Sequence, residues 1–199
     1  MGLITVDGEK YLPLEWSDIE RLVDGLVGRL SGEYNPDTIV GVMRGGAVVA
    51  NLISDLLGLR EVYLVGCRSY EGLESGVVRI YHDLYLKDLA GRRVVLVDDV
   101  SDTGNTLSTA VAQIIRPRNP LELRTATLLM KPWTSFRPDY YADTTDAWVI
   151  FPWERMETVR LLGGRFNRRL GRAKAVETLS KLSRLSEDKV LKALVEVGV

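Results

Sequence analysis

Two adjacent carboxylates, Asp98 and Asp99, follow the apolar run Val94–Val97 and precede the small polar stretch Ser101–Thr106. Backbone N–H groups and hydroxyls in such a stretch can point at one anion, and a helix beginning there adds the positive end of its dipole. The pattern predicts a monophosphate cradle built without Lys or Arg. Because two carboxylates would repel a phosphate, we expect them to bind vicinal sugar hydroxyls, with a divalent cation nearby. For an Asp-Asp pair alone, the alternative is a surface turn after a strand.

Several other kinds of site are excluded by what the sequence lacks. It has no G-x-x-x-x-G-K-[ST] pattern and no G-x-G-x-x-G turn, so it is neither a Walker-type NTPase nor a dinucleotide-binding protein of that type. Its one cysteine, Cys67, and its one histidine, His82, exclude an internal disulfide, a cysteine-cluster metal site and a two-histidine protease motif. We expect Cys67 to be buried and inert, and we assign His82 no catalytic role. With a formal net charge of -1, phosphate contacts must come from a local patch.

Strand and helix patterns alternate up to about residue 150. A capping box, Ser17–Glu20, predicts a helix that runs to Gly32. Helices are also predicted over Ala47–Leu57 and from the polar stretch to Ile115. The predicted strands are Asp37–Val42, Val62–Val65, Val77–Tyr81, Val94–Val97, Thr125–Met130 and Ala147–Ile150. Apolar strands that alternate with helices predict an α/β fold with a mainly parallel sheet, whose ligand loops lie at the carboxyl ends of the strands: Met43–Gly46, Ser69–Gly76 and Asp98–Thr106.

The character of the sequence changes after Glu154. Arg155–Lys174 holds seven basic residues and one acid, and two helical patterns follow it. We expect this basic run to form a solvated or subunit-contacting face, and we do not expect it to bind nucleic acid. The sequence shows no membrane-spanning apolar run and no secretory signal pattern at its start, so we expect a cytoplasmic protein without a membrane partner.

The segment Val94–Leu107 resembles the signature with which type I phosphoribosyltransferases bind phosphoribosyl pyrophosphate (PRPP). Lys131-Pro132 and Trp148–Glu154 are similar to the purine branch of that family, especially its bacterial xanthine-guanine and archaeal enzymes. The resemblance covers roughly residues 15 to 155 and implies the type I phosphoribosyltransferase fold. It predicts a domain over 1–155, with a core at about 35–130 and a small hood at about 131–155 with N-terminal residues, followed by a helical extension over 156–199.

The resemblance also implies roles for the matching residues that would bind PRPP. Asp98 and Asp99 would hold the ribose hydroxyls, and Asp102 would lie near the purine N7 and help to move its proton. The 5′-phosphate would bind Ser101, Asp102, Thr103, Gly104, Asn105 and Thr106. Pyrophosphate would bind Arg44, Gly45 and Gly46, where a strained or cis peptide is expected, and the closing lid would start at Ser69 and Tyr70.

The base site is implied in the same way. Lys131 would donate to the exocyclic oxygen of a 6-oxopurine, Trp148 would stack on the base, and the Val149 backbone would read its edge. Magnesium would be held by Asp98, Asp99 and Glu154. The remaining aromatic residues of this region, Trp133, Trp153, Tyr140 and Tyr141, are expected to pack within the hood.

The implied reaction is Mg²⁺-dependent purine salvage. The enzyme would transfer the 5-phosphoribosyl group of PRPP to N9 of a purine base, giving a nucleoside monophosphate and pyrophosphate. Lys131 favours hypoxanthine, guanine or xanthine, because lysine cannot accept a hydrogen bond from an amino group. The alternatives are an adenine enzyme, a pyrimidine or orotate enzyme, and a PRPP-sensing regulator that binds nucleic acid through the basic run. We expect a homodimer or a homotetramer.

Overall fold

The computed structural model describes residues 2–69, 77–196 and 198, and it divides into two compact units. The terminal unit comprises Met1–Ile19 and Asp146–Val199, and the central unit comprises Glu20–Thr145. Residues 131–145 of the predicted hood therefore belong to the central unit. The predicted extension, 156–199, shares the terminal unit with the N-terminal strands and with residues 146–155.

Nine strands and six α-helices are described. The strands are β1 (Ile4–Val6), β2 (Glu9–Pro13), β3 (Thr38–Met43), β4 (Val62–Ser69), β5 (Val78–His82), β6 (Arg93–Ser101), β7 (Glu122–Met130), β8 (Tyr140–Thr144) and β9 (Trp148–Ile150). The helices are α1 (Trp16–Glu33), α2 (Gly45–Leu57), α3 (Asn105–Thr109), α4 (Arg155–Leu170), α5 (Arg172–Ser183) and α6 (Glu187–Glu196). Within the described ranges, none of these helices is long and apolar enough to cross a membrane.

The central unit is built on a six-stranded sheet with the order β5-β4-β3-β6-β7-β8. All neighbouring strands are parallel except β5, which runs antiparallel to β4 at the edge. Val94–Val97 of β6 is completely buried, as expected for a strand covered on both faces. Since β3, β6 and β7 are parallel, the segments that follow them lie at the same edge of the sheet. The predicted α/β fold is confirmed.

Two helices differ from the prediction. Helix α1 begins at Trp16, so Ser17 lies inside it and the predicted capping box is wrong. The Glu15 N–H instead donates to the Asp18 carboxylate at 3.1 Å, which satisfies an amide at the helix start. The helix predicted to reach Ile115 is α-helical only in α3 and continues as a π-helix over Ala110–Ile115.

The terminal unit pairs a small sheet with the three C-terminal helices. Its strand order is β1-β2-β9, with β1 antiparallel to β2 and β2 parallel to β9. The core includes Tyr11 of β2, Ile150 of β9 and apolar residues from α4, α5 and α6. The members from these helices are Val159, Leu162, Phe166, Ala175, Val176, Leu179, Leu182, Val190, Ala193 and Leu194.

Candidate active site

Strand β6 delivers Asp98 and Asp99 to the carboxyl edge of the central sheet, where their carboxylates have different surroundings. Asp98 is only 8% exposed, and its carboxylate accepts hydrogen bonds from the backbone N–H groups of Asp99, at 3.0 Å, and of Gly46. Burial raises the pKa of Asp98 well above its usual value, and the neighbouring Asp99 carboxylate raises it further. Asp99 is partly exposed and accepts from the Val100 N–H at 2.8 Å. Of the two acids, Asp99 is the more accessible to a ligand.

The start of α2 packs directly against these acids. The peptide bond between Met43 and Arg44 is cis, in line with the strained or cis peptide that the resemblance implies, and Arg44 is exposed immediately before the helix. A Cβ atom on Gly46 would lie 2.5 Å from the Val97 carbonyl oxygen and 2.8 Å from the Asp98 Cα. Only glycine therefore allows the Met43–Gly46 loop to approach β6 so closely.

The loop after β6 turns sharply into α3. Gly104 has a φ of 88°, and a Cβ atom there would lie 2.5 Å from the Phe136 nitrogen. Asp102 and Thr103 are exposed, while Asn105 and Thr106 are partly exposed. The Thr103, Asn105 and Thr106 side chains carry donors that can bond an anion at the edge of the sheet, whereas the Asp102 carboxylate would repel it.

Ser101, which the resemblance assigns to the phosphate, has its hydroxyl bonded inside the protein. The Ser101 Oγ donates to the Phe136 carbonyl oxygen at 2.9 Å and lies 2.9 Å from the Thr134 Oγ1. The residue is buried. Its side chain thus supports the loop from within.

Residues 131–136, which we call the brace, hold this loop in place, a role that the sequence analysis did not predict. The Lys131 N–H donates to the Ser101 carbonyl oxygen at 2.9 Å. Both the N–H and the hydroxyl of Ser135 donate to the Thr103 carbonyl oxygen, at 3.0 and 2.6 Å. The available signal was the Thr-Ser pair just after Lys131-Pro132-Trp133, since such residues commonly bond to nearby backbone.

The brace also brings two predicted site residues to one aromatic ring. Lys131 is 5% exposed, and its Nζ lies 5.3 Å from the centre of the Trp133 ring. The Trp133 Nε1–H donates to the Asp102 Oδ1 at 2.9 Å. Trp133 was expected to pack within a hood, whereas it contacts Lys131 and Asp102 in the central unit.

The other predicted base and metal residues lie in the terminal unit. Trp148 and Val149 are neighbours on β9, where the Trp148 side chain is exposed and that of Val149 is buried. The Glu154 carboxylate accepts from the Phe151 N–H at 3.4 Å, immediately before α4. Trp153 stacks on Phe151 with ring centres 4.8 Å apart, in agreement with a packing role.

The predicted lid lies largely beyond what can be described. Ser69 is the last residue of β4, and Tyr70 and residues 71–76 fall outside the described residues. Among the residues that are described, no group of three or more His, Cys, Asp or Glu side chains is placed to hold a metal ion.

Comparison with known proteins gives the class of the chain. Residues 14–155 match the model of the phosphoribosyl transferase domain family, and the chain therefore belongs to this family. The resemblance of Val94–Leu107 to the PRPP signature had predicted it.

Individual relatives point to one branch of the family. A xanthine-guanine phosphoribosyltransferase of Cereibacter sphaeroides is 32% identical in an alignment 158 residues long, which covers 73% of this chain and 88% of that protein. One of Chromohalobacter salexigens is 33% identical over 143 residues, covering 71% and 82%. The crystal structure of a purine phosphoribosyltransferase from Pyrococcus horikoshii Ot3 has a TM-score of 0.66 and 40% identity, and covers 72% of this chain and 93% of that one.

Proposed function

We propose that this protein is a purine phosphoribosyltransferase that transfers the 5-phosphoribosyl group of PRPP to N9 of a 6-oxopurine in purine salvage. One observation carries the proposal. At one edge of the central sheet, two acids, an anion-accessible loop and the start of α2 lie together. The names of the similar proteins support the purine branch.

The PRPP groups fit this edge as follows. The 5′-phosphate binds the amides and hydroxyls of Thr103–Thr106, while Ser101 supports the loop beneath them. Asp99 accepts a hydrogen bond from a ribose hydroxyl. The Asp98 carboxylate accepts from the Asp99 and Gly46 N–H groups and so holds the backbone of both segments in place. Pyrophosphate lies at the start of α2, where Arg44 supplies positive charge and the Gly45 amide can donate to a phosphate oxygen. Gly46 packs on β6 and holds Asp98 through its own N–H.

The reaction is a substitution at the anomeric carbon of ribose. N9 of the base forms a bond to this carbon while the bond to pyrophosphate breaks, and pyrophosphate leaves with the bonding electron pair. Positive charge builds up on the sugar, as in glycoside hydrolysis. Asp102, exposed at the loop, takes the proton that the base loses from N7. Water must be kept from the cationic sugar while this charge exists.

The base is selected chiefly by Lys131. Its ammonium group only donates, which matches the exocyclic oxygen of hypoxanthine, guanine or xanthine and not the amino group of adenine. Lys131 is buried close to Asp102 through Trp133, so one end of the base can meet both side chains. The assignment of Trp148 to stacking and of Val149 to edge reading rests on the family resemblance.

We also propose that Mg²⁺ enters with PRPP. This ion keeps several waters and binds substrate phosphates with one or two carboxylates, so it needs no cage of protein ligands. The partly exposed Asp99 fits that part better than the buried Asp98, and Glu154 is the further candidate. When bound, the ion would neutralise charge on the departing pyrophosphate.

The test is to incubate the protein with PRPP, Mg²⁺ and one base at a time, and to measure pyrophosphate and nucleotide formation. We expect turnover with hypoxanthine, guanine or xanthine, none with orotate or uracil, and none when a chelator removes the metal. Preference for adenine would contradict the role of Lys131. The absence of turnover with every base, together with tight RNA or DNA binding, would favour the regulator instead.

A further inference from the structure

Trp133 is in direct contact with the residue to which we assign proton transfer. Its indole N–H donates to one carboxylate oxygen of Asp102, Oδ1, at 2.9 Å. Its ring lies beneath the Lys131 ammonium group at 5.3 Å. Trp133 thus joins the two side chains that we propose to meet the same end of the base.

Burial does not explain this position. The Trp133 side chain is 56% exposed, so packing alone stabilises it little. The backbone of the brace holds it instead, because the Thr134 N–H closes a turn on the Lys131 carbonyl oxygen at 3.2 Å and Ser135 is bonded to Thr103. The same backbone therefore fixes both the indole and the loop that carries Asp102.

The chemistry of the indole limits what Asp102 can do. An indole N–H can only donate a hydrogen bond, so Oδ1 must act as an acceptor and cannot itself carry a proton towards Trp133. A proton taken up by the carboxylate therefore sits on Oδ2. The cation above the ring withdraws electron density from it, which strengthens the N–H as a donor.

We propose that Trp133 is a positioning residue that fixes the Asp102 carboxylate, so that Oδ2 faces N7 of the base and receives its proton. This inference rests on the proposed function. In the step it describes, N9 bonds to the anomeric carbon, pyrophosphate departs with the electron pair of the broken bond, and the N7 proton moves to Oδ2. Asp102 ends as a neutral carboxylic acid whose Oδ1 still accepts from Trp133.

The first experiment compares Trp133→Phe with the wild type. Phe keeps an aromatic ring for Lys131, although a smaller one, and removes the N–H donor. We expect kcat for hypoxanthine or guanine to fall about 10-fold while KM for PRPP changes less than about twofold, because a contact between neighbouring groups is worth that order of effect. Trp16→Phe, at a tryptophan that is 50% exposed in the terminal unit, is the matched control and should leave kcat unchanged. Wild-type kcat in Trp133→Phe would overturn the proposal.

A double-mutant cycle with Asp102→Ala separates positioning from a general structural effect. If Trp133 acts through Asp102, Trp133→Phe should change the residual rate of Asp102→Ala less than about twofold. The same fold loss in both backgrounds would contradict the proposal.

The contact itself can be measured without turnover. Solvent exchange of the Trp133 indole proton, followed by NMR on indole-labelled protein, should be slower in the wild type than in Asp102→Ala, and equal rates would contradict the bond. If the wild type turned over no purine at all, the proposed function would fail, whereas this exchange measurement would still report on the contact.

Discussion

The proposed roles of Asp102 and of its neighbours can be separated by experiment, because we assign Asp102 to the base and its neighbours to PRPP. We predict that Asp102→Asn lowers kcat about 100-fold or more, as expected when a general acid-base is lost, and changes PRPP affinity only a few-fold. Steady-state kinetics and equilibrium PRPP binding check both parts. The control is Asp24→Asn, an exposed carboxylate of α1. Unchanged turnover would remove Asp102 from the mechanism.

The single cysteine gives a prediction that depends on pH. Burial raises the pKa of the Cys67 thiol from 9.0 to about 11, so at pH 8 only about one native molecule in a thousand carries the reactive thiolate. We expect iodoacetamide to alkylate native protein far more slowly than protein unfolded in guanidinium. Equal alkylation rates would show that Cys67 is accessible.

The same shift has a consequence for stability. The pKa of Cys67 is higher in the folded than in the unfolded state, so the neutral thiol favours the folded protein. This contribution to the free energy of unfolding is fully present below about pH 9 and is lost as the pH rises through about 11. Cys67→Ala should lack this part of the alkaline loss in a comparison of denaturation curves. The prediction that Cys67 is buried is confirmed.

What the sequence could reveal about single residues depends on how local their contacts are. The loop between β6 and α3 was predictable from type and spacing, because strand, acids and small residues follow one another along the chain. The inward bonds of Ser101 were not, since its partners Thr134 and Phe136 lie more than 30 residues away. The contact between Trp133 and Asp102 depends on the same pairing of distant segments.

At the scale of elements, α2 lies so close to β6 at Gly46 that a single added methyl group would not fit. Gly46→Ala would place a Cβ atom 2.5 Å from a backbone oxygen that cannot move aside easily. We predict a loss of about 2–3 kcal/mol in the free energy of unfolding, in the range of overpacking changes, together with weaker PRPP binding. Chemical denaturation and a binding titration measure the two effects.

A second glycine of a helix supplies the control for this substitution. Gly25 lies in α1, and a Cβ atom there would meet nothing within 4 Å. Gly25→Ala should therefore stabilise the protein by about 0.5–1 kcal/mol, because alanine favours a helix more than glycine does. If Gly46→Ala stabilised the protein as Gly25→Ala is expected to do, the close approach of α2 to β6 described here would be incorrect.

The elements themselves were predicted best where burial dominates. The buried strands appear close to their expected positions, because unbroken apolar runs have few alternatives between two helical layers. The ends of helices were less predictable. Both Asp18 and Glu20 could serve as the third helical residue that bonds back to the cap, and the structure uses Asp18. The change to π-helical geometry at Ala110 has no signature that we could recognise in the sequence.

At the scale of the whole molecule, the C-terminal helices belong to the core of the terminal unit. Ending the chain after Gly171 would remove α5 and α6 and expose Tyr11 and Ile150. Each large buried side chain stabilises by about 1.5–3 kcal/mol, so we predict that the terminal unit loses its ordered structure. Hydrogen exchange at β2 and β9 and the thermal midpoint measure this.

A control separates the packing of these helices from their charge. Lys174 and Lys181 pair with Glu177 on the exposed face of α5, and exposed pairs contribute little. Replacing both lysines by alanine should leave the thermal midpoint within about 2 °C. If β9 kept its protection from hydrogen exchange in the chain that ends after Gly171, the prediction that the terminal unit loses its ordered structure would be wrong.

The sequence did not predict which part of the protein these helices pack against. Their apolar spacing shows that one face of each is buried, but not which strands they cover. The family match ends at residue 155, whereas the core continues to Leu194. The expected homodimer or homotetramer remains a prediction, which light scattering can test.

The two units also differ in the stage of translation at which all of their residues have been made. The central unit is one uninterrupted stretch, Glu20–Thr145, so it can fold as soon as that stretch has left the exit tunnel. The terminal unit joins residues made before the central unit, Met1–Ile19, to residues made after it, Asp146–Val199. Ile4–Pro13 must therefore wait, without its partner strand β9 and without the helices that cover it, until residues 148–196 have also left the exit tunnel.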